Sequence, residues 1–268
     1  MRKGNTFPHL CIYESDFFIH CINELQECVM RKNDRILRVI MSVVLIVSML
    51  LLAKEAADLK TQYVWQGRVG KMGKTTQYCV VLDAGHGGND PGKVGVTGCY
   101  EKDINLLIVE KLKYFLEMEG ITVLLTRDGD YGLYAETDIN KKNADMRNRV
   151  SFIEENKPTL TVSIHQNSYT QENIKGAQTF YNGSSTESKE LAEKIQERMV
   201  AVLDKNNHRK AKQNDSYYLL KKTTCPTVII ESGFLSNDTE CKLLETKVYQ
   251  EKVAWAIYMG IMQYLNAK

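Results

Sequence analysis

Short apolar runs rich in β-branched residues recur along the chain from residue 80 and alternate with longer amphipathic segments. Such runs predict buried strands, here at 80–82, 121–125, 160–164, 176–181 and 227–230, with a short edge strand at 217–220. Segments whose apolar residues lie three or four positions apart predict helices, here at 104–119, 144–156, 188–203, 238–244 and 248–265. The alternation predicts an α/β fold: a single domain with a mostly parallel central sheet flanked by helices on both faces.

A different pattern lies before this domain, where the segment Val39–Ala53 reads VIMSVVLIVSMLLLA and carries no charge. Its length falls between the core of a signal peptide and a bilayer span, which takes about 20 residues. Basic residues precede it, so the positive-inside rule places the N-terminus in the cytoplasm and the domain outside. We favour an uncleaved membrane anchor, with cleavage near Ala53 as the alternative.

These patterns divide the chain into consecutive parts. Residues 30–56 form the signal anchor or signal peptide, because Met30-Arg31-Lys32 is typical of the start of such a segment. The preceding residues 1–29 are interpreted as an N-terminal extension, either from a misassigned start or as a cytoplasmic tail. Residues 57–76 mix charge, glycine and threonine and are interpreted as a linker, and residues 77–268 form the α/β domain.

Composition and charge exclude some classes of protein. A chain of 268 residues with 43% hydrophobic and 25% charged residues is an ordinary globular protein. The net charge of +2 predicts no nucleic-acid partner, because proteins that bind nucleic acid usually carry a basic face. The seven cysteines include no CxxC pair, which disfavours a cysteine-based zinc site. Their odd number also argues against a complete disulfide framework, so we expect mostly free thiols.

Histidine and glutamate residues stand where predicted strands and turns end. His86 follows the first strand in a glycine-rich turn, Glu101 lies in the turn before the first long helix, and His165 ends the third strand. Because ligands of open α/β sheets bind beyond the carboxyl ends of the strands, these side chains are expected to converge. Two imidazoles and one carboxylate, with one position left for water, are a ligand set of catalytic zinc. We therefore predict a Zn²⁺ site at His86, Glu101 and His165.

A further acid, Glu231, directly follows the apolar run 227–230. A zinc hydrolase needs a carboxylate, separate from the ligands, that takes a proton from water and passes it to the leaving group. An acid buried after such a run is costly unless it is paired or functional, so we assign this role to Glu231. Taken singly, the residues have plainer explanations: a turn histidine at 86, a buried histidine at 165 and a capping carboxylate at 101.

Four segments, VVLDAGHGGNDPG, GCYEKDINL, TVSIHQNS and TVIIESGFLSN, resemble in order the motifs of the zinc-dependent N-acetylmuramoyl-L-alanine amidases. Those enzymes hydrolyse the amide bond between the lactyl group of muramic acid and L-alanine in peptidoglycan. The resemblance covers residues 77–265 and implies a central, mostly parallel sheet. It implies zinc ligands at His86, Glu101 and His165, a catalytic glutamate at Glu231, and supporting roles for Asn105, Arg147 and Asn167.

The resemblance also sets the expected substrate and location. It implies that peptidoglycan is the partner and that the domain remodels the cell wall outside the cytoplasmic membrane; it names no protein activator. A catalytic domain that follows a single anchor, without a repeated wall-binding module, resembles the amidases that spore-forming bacteria use on cortex peptidoglycan. Gln166-Asn167-Ser168 departs from the alanine-rich residues usual at that point but leaves the ligands intact. The alternatives are another zinc amide hydrolase and an inactive wall-binding protein of the same fold.

Overall fold

The structure is a computed structural model that describes residues 47–49 and 78–268. The chain divides into two units, Met1–Gly70 and Lys71–Lys268, and the second contains the residues of the predicted α/β domain. Residues 47–49 are helical, and the remainder of the predicted anchor and the whole predicted linker lie outside the described residues. Within the residues that are described, no helix combines the length and the apolar character that a membrane crossing requires.

Six strands of the second unit form one sheet in the order β2-β1-β3-β6-β4-β5. The strands are β1 (Cys79–Ala84), β2 (Thr122–Leu125), β3 (Leu160–Asn167), β4 (Gln178–Tyr181), β5 (Lys212–Gln213) and β6 (Thr227–Phe234). Strands β2, β1, β3 and β6 are mutually parallel, whereas β4 runs antiparallel to β6 and pairs in parallel with β5. The carboxyl ends of β1, β3 and β6 therefore meet at one edge of the sheet.

Helices cover both faces of this sheet. They are α1 (Glu101–Met118), α2 (Lys141–Asn156), α3 (Thr186–Val202), α4 (Tyr218–Lys222), α5 (Asp238–Leu244) and α6 (Lys247–Asn266). Strand β1 shows the two-sided packing, because Val80 and Leu82 belong to a core cluster with α1, α3 and α6, and Val81 to one with α2 and α4. Alternate residues of a strand point to opposite faces, so both faces of β1 are buried. The predicted α/β fold is confirmed.

The edge strand predicted at 217–220 is wrong, because Tyr218–Lys222 forms helix α4. Leu219 and Leu220 are each only 2% exposed, and consecutive residues of an edge strand would instead point to opposite faces. The Asn214 side chain accepts hydrogen bonds from the backbone N–H groups of Ser216 and Tyr217, which directs the chain into the helix. The edge strand of the sheet is instead β5, which lies outside the strands predicted from the sequence.

Helix α1 begins three residues earlier than its apolar stripe predicts, at Glu101 instead of residue 104. The first backbone N–H groups of a helix have no partner within the helix. Here the N–H of Glu101 donates to the carbonyl of Lys93, and that of Lys102 donates to the carbonyl of Pro91. The preceding loop thus completes the first turn, and Glu101 lies in the helix rather than in the turn before it.

Candidate active site

The three predicted ligands His86, Glu101 and His165 meet at the carboxyl edge of the sheet. His86 Nε2 lies 3.2 Å from Glu101 Oε2, and His165 Nδ1 lies 2.9 Å from Glu101 Oε1. The two imidazole rings are arranged edge to face with their centroids 4.9 Å apart. One ligand atom from each residue lies within 4.8 Å of the other two, so the cluster has the spacing to bind one metal ion.

The donor set of this cluster fits zinc. It offers two imidazoles, which are 20% and 23% exposed, and one carboxylate, that of Glu101, which is 2% exposed. Catalytic zinc takes three such protein ligands and keeps one position open. Because the imidazoles reach the surface of a cavity while the carboxylate lies beneath them, the open side of the cluster faces that cavity.

The charges around the cluster favour a cation. Burial alone would lower the pKa of His86, but hydrogen bonds to Asp90 and Glu101 prevail and raise that pKa to about 9. Burial would likewise raise the pKa of Glu101, yet its hydrogen bonds to His165 and His86 hold the pKa far below its usual range. Carboxylates therefore stabilise positive charge at this position, as a bound divalent metal requires.

The backbone of the turn after β1 is folded around the histidines. His86 adopts a left-handed conformation with φ of 64°, which is rare outside glycine and clusters at functional sites. A Cβ atom on Gly85 would collide with the imidazole ring of His165, so only glycine lets the two histidines approach. Asp90 Oδ2 accepts a hydrogen bond from His86 Nδ1 at 2.8 Å, which orients the ring and leaves Nε2 toward Glu101.

Two buried arginines hold the carbonyl groups of this turn. Arg149 Nη1 donates to the carbonyl of Ala84 at 2.8 Å, and its Nη2 donates to that of His86 at 2.7 Å. Arg127 donates to the carbonyls of Ala84 and Gly85 at 2.8 and 3.2 Å. Each arginine is 1% exposed. The strained turn that presents His86 is therefore fixed by charge-assisted hydrogen bonds.

The charge of Arg149 is balanced by Asp83, a buried residue near the carboxyl end of β1. Arg149 Nη1 lies 2.5 Å from Asp83 Oδ1, and Asp83 also accepts hydrogen bonds from the hydroxyls of Thr126 and Ser163. Burial would raise the pKa of Asp83, but Arg149 and these hydroxyls lower it to about 2. The pair stays ionised at neutral pH beneath the histidine turn.

Replacing Arg149 with methionine is expected to lower the free energy of unfolding by about 3–5 kcal/mol at pH 7, since it leaves Asp83 charged, buried and unpaired. A carboxyl whose folded pKa is depressed contributes stability that is present above its unfolded pKa and lost as pH falls. The difference in the free energy of unfolding between the variant and the wild type should therefore shrink as the pH falls below about 4. Denaturant melts at several pH values measure this difference. An equal loss of stability in the variant Arg147→Met, at an exposed position, would contradict the role of Arg149 as the partner of Asp83.

The supporting residues that the resemblance implies fall in different places. Asn105 is fully buried; its side chain donates to the carbonyl of Gly85 and accepts from Gln166, next to His165. Asn167 ends β3, and its side chain accepts from the N–H of Ser168. Arg147 is exposed on α2 and does not line the cavity at the cluster. The structure thus places Asn105 at the site, whereas the side chain of Asn167 bonds to the residue that follows it in the chain.

The arginine that reaches the site from α2 is Arg149, which the sequence analysis missed. It lies four residues before Ile153, so both occupy the stripe of α2 that packs on the sheet. This helical spacing is the feature of the sequence that could have identified Arg149 as a residue facing the sheet. Asp90 was also missed; it lies four residues after His86 within the glycine-rich turn, where a carboxylate near a ligand histidine often orients the ring.

Glu231 lies beside the cluster on the neighbouring strand, where the β3–β6 register pairs it with His165. The two residues, together with His86 and Tyr217, line a cavity of about 310 Å³. Glu231 is 8% exposed, and its Oε2 has no hydrogen-bond partner among the described residues. Burial raises the pKa of Glu231 to about 7, against an opposing effect of His165. A carboxyl in this state can both accept and donate a proton near neutral pH.

Tyr217 lines the same cavity as Glu231, and the carboxyl of Glu231 is one of the groups that raise the pKa of its hydroxyl. Burial, followed by the nearby carboxylates, raises the pKa of Tyr217 to about 12, so the hydroxyl remains a donor. The ring packs edge to face on Phe180 of β4, with centroids 5.7 Å apart.

Replacing Tyr217 with phenylalanine is expected to lower kcat about tenfold with little change in KM. The Tyr217 hydroxyl lines the cavity beside Glu231 and is expected to donate to its carboxylate during the reaction, and a hydrogen bond to a charged group contributes about 1.5–3 kcal/mol. The phenyl ring keeps the contact with Phe180. Steady-state digestion of soluble peptidoglycan fragments measures both constants. Tyr169→Phe is the matched control, since Tyr169 is exposed and lies outside the cavity. A change in KM with kcat unaltered would argue against a role at Glu231.

A cluster of two histidines and a carboxylate, with a separate buried glutamate at the strand ends of an α/β sheet, is typical of metal-dependent hydrolases. The sequence profile of the N-acetylmuramoyl-L-alanine amidases matches residues 80–263. The chain belongs to the N-acetylmuramoyl-L-alanine amidase family and is an enzyme of that class, with peptidoglycan as its substrate.

Relatives agree with this assignment in sequence and in fold. The germination-specific N-acetylmuramoyl-L-alanine amidase of Bacillus subtilis (strain 168) is 38% identical over 192 residues, which cover 70% of this chain and 80% of the relative. The CwlD amidase of Clostridioides difficile, solved in complex with the GerS lipoprotein, is 46% identical with a TM-score of 0.70, covering 72% of this chain and all of that one. An N-acetylmuramoyl-L-alanine amidase of Clostridium difficile 630 is 30% identical with a TM-score of 0.63, covering 71% and 98%.

Proposed function

We propose that this enzyme cleaves the amide bond between N-acetylmuramic acid and L-alanine with a zinc ion held by His86, Glu101 and His165. The observation that carries the proposal is one cavity lined by His86, His165 and the separate carboxyl of Glu231, with the carboxylate of Glu101 in contact with both histidines. When bound at such a site, zinc acts as a Lewis acid that polarises a carbonyl group and activates water near neutral pH.

In this mechanism Glu231 moves the proton. Its Oε2, which has no hydrogen-bond partner in the part of the chain that the structure describes, accepts the proton of the attacking water and then delivers it to the nitrogen of the leaving L-alanine. In this proposal Tyr217, which lines the same cavity, orients the carboxyl by donating to it, and burial keeps the pKa of Glu231 near neutrality. Arg127 and Arg149 fix the turn that carries His86, so the ligand does not have to reorganise during the reaction.

We further propose where this chemistry takes place. The catalytic domain, residues 77–268, acts outside the cytoplasmic membrane and is anchored there by residues 30–56, with residues 57–76 as a linker. The similarity to a germination-specific amidase supports cortex peptidoglycan of the spore as the substrate. The similarity to an amidase solved with a lipoprotein supports a protein partner for this chain as well.

The test uses the purified full chain, with zinc content measured by elemental analysis and peptidoglycan digests read by mass spectrometry, with and without a chelator. We expect about one zinc per chain and chelator-sensitive release of free muramic lactyl groups and new L-alanine amino termini. Digesting cortex and vegetative peptidoglycan in parallel tests the spore assignment. Cleavage of a different amide would indicate another zinc amide hydrolase, and binding without cleavage of either substrate would indicate a wall-binding protein.

A further inference from the structure

Two cysteines far apart in the sequence are in contact beside the segment that leads into α1. The Sγ atoms of Cys99 and Cys241 lie 3.5 Å apart, although 142 positions separate them in the chain. Cys241 is fully buried on α5, and Cys99 is half-buried two residues before Glu101. The other described cysteines, Cys79 and Cys225, have no sulfur contact of this kind, and all four are free thiols in the structure.

The backbone holds the two thiols together without a covalent bond. The N–H of Gly95 donates to the carbonyl of Cys99 at 2.8 Å, and the N–H of Val96 donates to the carbonyl of Leu235 at 3.0 Å. A Cβ atom on Gly95 would lie 2.6 Å from each sulfur, so the loop packs directly on the pair. A disulfide needs an S–S distance of about 2.05 Å, so the two sulfurs have to approach from their present 3.5 Å to form one.

We propose that Cys99 and Cys241 are a disulfide site that tethers the start of α1, and with it Glu101, to α5. The proposal rests on the extracytoplasmic location in the proposed function, since disulfides persist in oxidising compartments. The oxidant is a small-molecule disulfide such as oxidised glutathione. The two cysteine thiols lose two protons and two electrons and form one S–S bond by way of a mixed disulfide, and the oxidant is reduced to two thiols.

The thiols have the character of a structural pair. No lysine, arginine or histidine is paired with either sulfur among the described contacts, whereas Thr97 Oγ1 lies 3.3 Å from Cys241 Sγ. Reactive cysteines instead lie in electropositive surroundings. The bond would therefore form once and remain.

The tether should stabilise the domain and retain the metal. A cross-link over so long a loop lowers the entropy of the unfolded chain, and for a domain of this size we expect a rise in Tm of roughly 5–10 °C. Glu101 lies within two residues of the bond and accepts hydrogen bonds from Lys93 N and Gln166 N. Fixing its backbone should slow the removal of zinc by a chelator about threefold or more.

The experiment treats the full chain with oxidised glutathione, alkylates the remaining thiols under denaturing conditions and maps the peptides by mass spectrometry. We expect a Cys99–Cys241 cross-linked peptide, and a rise in Tm that dithiothreitol reverses. Cys241→Ser should abolish the rise, while the matched control Cys225→Ser should retain it. Mapping separates this pair from cysteines elsewhere in the chain.

Two results would overturn the proposal. One is that both thiols are still alkylated after prolonged treatment with an excess of oxidised glutathione. The other is a metal ion that protects both thiols without any cross-link, since Cys99, Cys241 and Glu245 have ligand atoms within 4.8 Å of one another. Neither readout needs activity, so a chain that cross-links but does not cleave peptidoglycan would refute only the proposed function. A chain that cleaves peptidoglycan with both thiols free would refute only the disulfide.

Discussion

Replacing Glu231 with glutamine is expected to reduce kcat by about 10²–10⁴-fold while zinc binding stays intact, because an amide of the same shape cannot accept a proton. Glu231 lies on β6 beside the ligand cluster and is not one of the three donors that surround the proposed metal position. Turnover on peptidoglycan fragments and zinc content per chain, measured on the same sample, separate the proton-transfer role from metal binding.

The matched control for this variant is Glu240→Gln. Glu240 is also a buried glutamate near the end of β6, but its carboxylate accepts hydrogen bonds from the N–H groups of Phe234 and Gly176. Its replacement should lower stability and leave kcat close to that of the wild type. Near-full activity of Glu231→Gln, or loss of its zinc, would mean that the general base is another group or that Glu231 is itself a ligand.

Replacing His86 with alanine is expected to lower zinc affinity by more than about 100-fold and to abolish turnover. Mutation of groups that merely orient a ligand already costs about 10–100-fold in affinity, and this change removes a ligand outright. Titration with zinc under a competing chelator measures the affinity. Stoichiometric zinc in the variant under the same conditions would remove His86 from the ligand set.

Two further variants keep that result from being confused with misfolding. His86→Gly also lacks the imidazole, but glycine adopts the left-handed backbone of position 86 without strain. It should therefore be more stable than His86→Ala and equally poor in zinc binding. His208→Ala removes a histidine that is not part of the cluster, and its zinc affinity and activity should match those of the wild type.

Much of the fold and the core of the candidate site could be predicted from the sequence, because both depend on local patterns. Strand-length apolar runs and helical stripes repeat with the periods of their elements, so the α/β order follows from the residues themselves. The carboxyl ends of parallel strands lie at one edge of the sheet. Placing His86, His165 and Glu231 after such runs was therefore enough to predict that they converge, as they do.

The tertiary structure decided the contacts that depend on how the elements are rotated and paired. The rotation of α2 turns Arg149 inward and Arg147 outward, and motif position alone does not fix that rotation. Burial of both Leu219 and Leu220 turned a predicted strand into α4, which brings Tyr217 to Glu231. The contact between Cys99 and Cys241 joins segments that share no local pattern.

The physical reason is the range of the interactions. Periodicity reports whether a residue faces the core, because burial of apolar surface acts on each element by itself. It does not report which side chain from another element occupies the neighbouring position, since that depends on strand register and helix packing across the whole domain. The sequence by itself determined the sheet, the helices and the residues at the strand ends, whereas only the folded chain supplied the groups that hold those residues in place.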